Sequence, residues 1–159
     1  MRNLLHFISM LLVMSVVSVG CSTNNDRFRS IDQLLFKNPD SALFLLENLE
    51  PKGQSEYALW GLLYAKATDK SEYILPDDSL IANSAEYYAG RGDSLETQSY
   101  YYLAVSHYNH DRHGEAIVWG LRAEQSAIRQ CDYFYADQTY SLNRSRALLP
   151  TFSHKLHDC

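Results

Sequence analysis

Residues 99–127 read "SYYYLAVSHYNHDRHGEAIVWGLRAEQSA", and the fold turns on what this stretch is for. Three of the chain's six histidines, His107, His110 and His113, recur every third residue around Asp111, as the ligands of a metal site would. The same stretch places Tyr100, Leu103, Ala104, Ala116, Gly120 and Ala123 at the spacing of two packed helices joined by the turn "HDRHG". His107 and His110 stand roughly sixty degrees apart around a helix axis, close enough to approach one ion. A hydrolytic zinc site, however, needs three positioned ligands, an open position and usually a carboxylate base, as on an H-E-x-x-H helix. Neither that spacing nor that glutamate is present, and His113 falls beyond the turn. The stretch therefore reads as a packed helical hairpin, with a histidine-based metal enzyme as the weaker alternative.

Outward from this hairpin the apolar residues keep helical spacing from Phe28 onward, and turn residues break the periods into seven helices. Phe28, Ile31, Leu34 and Leu35 form the first stripe. Asn38 and Pro39 open the second helix as N-cap and first position, and Pro51 stops the chain behind it. A helix over 55–68 carries Trp60, Leu63, Tyr64 and Ala67. After the loop "DKSEYILPDD" a helix over 78–89 carries Ile81, Ala85 and Tyr88 and is closed by Gly90 and Gly92. Asp93 and Glu96 form the capping box of a helix over 94–109. The last two helices are expected over 115–130 and 132–149, with a short tail at 150–159.

The first twenty residues, one arginine and then an apolar run ending in "SVGC", read as a secretory signal and not as a membrane span, since no basic stop-transfer flank follows. Removing residues 1–20 takes away Arg2 and no acid, which leaves 13 bases against 19 acids. Such a balance does not favour adsorption on anionic lipid and argues against nucleic acid, which needs a clustered basic face. Arg122, Arg129, Arg144 and Arg146 read as the solvated side of helices. The tripeptide Arg91-Gly92-Asp93 is explained by a helix end followed by a cap, without an adhesion receptor. With 159 residues, 46% of them apolar, the chain can bury one core. No nucleophile constellation, phosphate loop or metal quartet appears, so no catalytic, cofactor-binding or metal-ligating residue is nominated and the chain is read as a non-enzyme without cofactor. Cys131 and Cys159 are left either free or paired by the sequence.

Gly20-Cys21 after the apolar run resembles the lipobox of bacterial lipoproteins, although Ser18 stands where leucine is usual. The resemblance implies acylation of Cys21, a polar tether over 21–27 and a cell-envelope location on an undetermined membrane. Trp60, Leu63 and Tyr64 share their spacing with Tyr100, Leu103 and Ala104, 40 residues on, which points to internal repetition. Residues 97–127 match the tetratricopeptide pattern, with His107 in place of the usual tyrosine. "NPDSALFLLENL", "YALWGLLYAKATDK", "DDSLIANSAEYYAGRGD" and "SYYYLAVSHYNHDRHGEAI" resemble, in that order, the N-terminal region of bacterial tetratricopeptide proteins, many of which continue into a membrane helix and a DNA-binding or kinase module. The implied fold is all-α, a right-handed stack of tetratricopeptide-like hairpins over 28–149. The implied function is a membrane-tethered protein-binding or peptide-binding scaffold; the alternative is a sensory fragment without its output module. If Tyr100, Leu103, Ala104 and His107 face the paired helix, the other edge offers Gln98, Tyr101, Val105, Tyr108 and Asn109 to a partner. The competing reading of Tyr101 and Tyr108 is that they pack against the neighbouring repeat.

Overall fold

A computed structural model describes the backbone of residues 22–145, and within it the side chains of 26–139 with Ser141 and Leu142. The leader at 1–20, Cys21, the tail at 150–159 and Cys159 lie outside the described residues. What is described is all-helical: α1 (Ser22–Leu35), α2 (Pro39–Glu47), α3 (Gly53–Lys70), α4 (Ser79–Tyr88), α5 (Ser94–Asn109), α6 (His113–Arg129) and α7 (Tyr133–Ser145). Caps account for the boundaries. The Asn38 side chain accepts from the Ser41 amide at 3.0 Å with Pro39 at the first turn. Asp93 accepts from the Glu96 amide, also at 3.0 Å. The third helix begins before the expected residue 55 because the Glu56 carboxylate reaches back to the Lys52 amide, at 2.8 Å.

Consecutive helices pack as neighbours, and a second set of contacts joins α1 to α3, α3 to α5 and α5 to α7. The odd helices thus form one layer, and the even helices flank it. Their side chains build two main cores that meet on α3. One gathers Phe28, Ile31, Leu35, Leu46 and Leu63 from α1 to α3, and the other gathers Leu62, Ile81, Tyr88, Leu103 and Tyr135 from α3 to α7. Small residues set the closest approaches. Ala116, Gly120 and Ala123 of α6 are all buried, as the hairpin reading requires. A Cβ on Gly61 of α3 would meet the Ser84 hydroxyl at 2.7 Å and the Leu80 carbonyl at 3.0 Å on α4.

Three helices end in the same way. Behind α3, α5 and α6 stand Glu72, Asp111 and Cys131 at φ values of 61, 58 and 51°. The amides of Tyr73, Arg112 and Asp132 bond back to the carbonyls of Thr68, His107 and Ala127, each at 2.9 Å. This is a Schellman close with a side chain where glycine is usual. The repetition lies in backbone geometry, where the residue types do not display it.

The polar run after Cys21 is helical from Ser22; the apolar stripe from Phe28 propagates the helix backward through residues whose polarity does not oppose it. One expectation is corrected. The capping box is half formed. Glu96, 2% exposed, does not return to Asp93 but accepts from the Gly90 and Gly92 amides at 2.8 and 3.1 Å, because both glycines turn with positive φ and aim their N–H groups inward.

Candidate functional site

The structure distributes the five residues expected to face a partner. Val105 is buried against Leu142 of α7. Tyr101 lies edge-on to Tyr135 at 5.7 Å, with its hydroxyl 3.5 Å from Gln138. Gln98 accepts from Lys66 Nζ at 3.3 Å, the Tyr108 ring lies tilted against His113 at 5.2 Å, and Asn109 is half-buried beside Tyr73 and Leu75. The open edge assumed for α5 is therefore filled at Tyr101 and Val105 by α7, whose side chains a reading of α5 alone leaves out. Tyr102 and Tyr135 are buried in the same seam, and burial pushes both phenols well above their ordinary range, so they stay neutral.

Lys66, which the sequence reading passed over, is 4% exposed and ties three odd helices together. It pairs with Asp32 of α1 at 2.7 Å, sits on α3 and donates to Gln98 of α5. Its ammonium and that of Lys70 lie over the exposed Phe36 ring at 5.3 and 5.2 Å.

The histidines take separate posts. His107 Nδ1 lies 3.3 Å from one oxygen of the buried Asp78, His110 Nδ1 meets the Ser106 carbonyl at 2.9 Å and lies 3.3 Å from the other Asp78 oxygen, and His113 is exposed at the start of α6. Ser106 donates to the same carboxylate at 2.5 Å, and the Arg112 guanidinium pairs with it. A cation brought to Asp78 would meet a guanidinium already in place, so the chemistry is that of an anchor. Among the described residues no three His, Cys, Asp or Glu side chains form a set that could hold a metal ion. Burial keeps His107 below its ordinary pKa, against the opposing field of Glu115. Of the two adjacent aspartates, Asp77 accepts from the Ser79 amide at 2.7 Å just ahead of α4, and Asp78, at the N-cap position, uses its side chain to reach α5.

Glu96 organises the other end of the α5–α6 hairpin. Besides the two glycine amides it accepts from the Tyr100 and Ser126 hydroxyls, each at 3.2 Å, and Thr97 donates to Ser126 at 2.8 Å. Burial raises its pKa, but these donors together outweigh burial and hold the carboxyl below its usual value.

A cleft lies between α2 and the loop over 71–78. Leu75 of this loop is buried in the larger core, while Tyr73 and Ile74 beside it are 59 and 60% exposed. Across from them stand Leu43 and Phe44, the latter 65% exposed. Tyr64 and Thr68 of α3 form the floor of a cleft of about 580 Å³, and Asp40 and Glu47 stand at its rim. No family model, curated protein or solved structure matches the chain. Among the described residues no helix is long and apolar enough to cross a membrane.

Proposed function

We propose that this chain is a tetratricopeptide-like binding scaffold, tethered to a bacterial envelope membrane through acylated Cys21, which holds a protein or peptide partner and performs no catalysis. The layering of odd helices, the small residues at the hairpin contacts and the recurring Schellman ends support the repeat reading. The observation that carries the binding role is the cleft beside α2. Three large apolar side chains, Phe44, Tyr73 and Ile74, stand more than half exposed around one concavity, which costs solubility unless something covers them. The sequence places the tether on Gly20-Cys21 after an apolar run.

Two measurements test the proposal. A photo-crosslinking residue in place of Phe44 should trap one discrete protein in intact cells, and the same residue in place of the exposed Gln125 on α6 should not. Equal capture from both positions would remove the binding role. Cys21→Ala should abolish labelling by a fatty-acid probe, and labelling that persists rules out acylation at this cysteine.

A further inference from the structure

The helix α2 carries apolar residues on two sides; Leu43 is partly buried against the first core and also borders the cleft, while Phe44 stands exposed. Ala42, Leu46 and Leu49 point into the first core. Asp40, Leu43, Phe44 and Glu47 occupy positions i, i+3, i+4 and i+7, a single stripe, and all four line the cleft. That stripe has an order: acid, two apolar side chains, acid. The facing wall, Tyr73, Ile74 and Pro76, is pinned by the buried Leu75 and adds no base, nor does the floor of Tyr64 and Thr68. Glu47 acts inside the cleft as well as at its rim. After burial, its field is the second cause that keeps the Tyr64 phenol protonated above the ordinary range. Among the described residues neither Asp40 nor Glu47 belongs to an ion pair.

Seven residues along a helix separate the two carboxylates by about 10 Å. A peptide extended as a polyproline-type helix covers about that distance in three residues and returns its side chains to the same side at that interval. We propose that the cleft takes a short extended segment of a partner protein in which two apolar side chains lie between two lysines or arginines. This rests on the scaffold reading and names the partner's chemistry. The apolar pair fills the space between Phe44, Tyr73 and Ile74, and each cation meets one of the two rim carboxylates. Opposed rim charges set register and exclude acidic segments more than they add affinity, which suits a scaffold that must choose among exposed apolar peptides.

The test uses two end-capped synthetic peptides, one with leucine and phenylalanine between two lysines, the other with glutamates in place of the lysines. Binding to the purified protein is read by fluorescence anisotropy at low ionic strength. The lysine peptide should bind, weaken as salt is raised, and weaken about tenfold on Glu47→Lys. The glutamate peptide should bind the wild type more weakly than the lysine peptide does and gain on Glu47→Lys. Glu47 is exposed and in the last turn of α2, where a lysine suits the helix dipole, so this variant keeps its fold. Asp40→Asn, which removes one charge without reversing it, should show a smaller loss. Equal binding of both peptides, or no change on Glu47→Lys with the fold intact, overturns the charge pattern. If neither peptide binds while the Phe44 crosslinker still traps its discrete protein, the charge pattern is wrong and the scaffold reading stands; if both fail, both are wrong.

Discussion

Two buried ionisable side chains contribute to how this chain answers acid. His107 is surrounded by Asp78 from the start of α4, His110 and Arg112 from the end of α5 and the turn, and Glu115 from α6. Because burial depresses its folded-state pKa below 6.5, the unfolded chain takes up the proton first. Stability is then full above about 6.5, falls as the pH drops towards the folded-state value, and levels off beneath it. Glu96 has a folded-state pKa below 4.5, so its contribution is present above that value and is lost at lower pH. Urea midpoints taken across pH should therefore fall in two stages, and His107→Gln should flatten the upper stage alone. An unchanged upper stage in that variant would assign it to another group. Asp78 and Glu96 also mark what one sequence conceals. An aspartate or glutamate near a helix start reads as a cap, and Asp93 is one, while Asp77 accepts from the Ser79 amide just ahead of α4. Whether the neighbouring acid instead crosses to another helix depends on what the fold brings near, here Ser106 and Arg112 for Asp78 and Ser126 for Glu96.

Elements were legible where capping chemistry is local. The helix expected over 94–109 is α5 to the residue, because Asp93 caps it and the Schellman turn at Asp111 stops it. Asn38 and Pro39 set the start of α2 in the same way. Legibility failed where a cap lacks its usual residue: α3 opens on Lys52, which offers no side-chain cap, and the ends of α3 and α6 use Glu72 and Cys131 in place of glycine. The contact of α3 with α4 supplies a sharper test of packing. Ser84 is fully buried against Gly61 and donates to the Ala58 carbonyl at 2.8 Å, so neither helix can retreat without losing that bond. Gly61→Ala should overpack the contact and lower stability by about 1 to 3 kcal/mol, despite alanine's better helix propensity. Gly114→Ala, at a helical glycine whose added Cβ meets nothing within 4 Å, should not lower it. A Gly61→Ala protein that melts with the wild type would mean that α3 and α4 lie farther apart.

At the scale of the whole molecule, the sequence made the hairpins plain and the layer beneath them obscure. Helical periods announce each pair, but contacts between odd helices join residues more than thirty positions apart, and no local pattern marks them. This is why Tyr101 and Val105 were expected on an open edge and are found under α7, and why Lys66 went unread. Lys66 is the clearest such link, since it holds Asp32 on one side and Gln98 on the other across the join of the two cores. In a stack of hairpins, stability is close to a sum of unit and interface terms, so losing one link should loosen one boundary. Lys66→Ala removes the buried stem and both bonds, while Asp32, 44% exposed at its side chain, is left to water and adds little penalty of its own. The expected result is faster hydrogen exchange in α1 and α2, with α5 to α7 protected as before. Lys66→Met, which keeps the stem without the charge, should restore much of the protection if packing holds the boundary and little if the ion pair does. An even loss of protection over all seven helices would mean that the stack unfolds as one cooperative unit and that Lys66 marks no boundary within it.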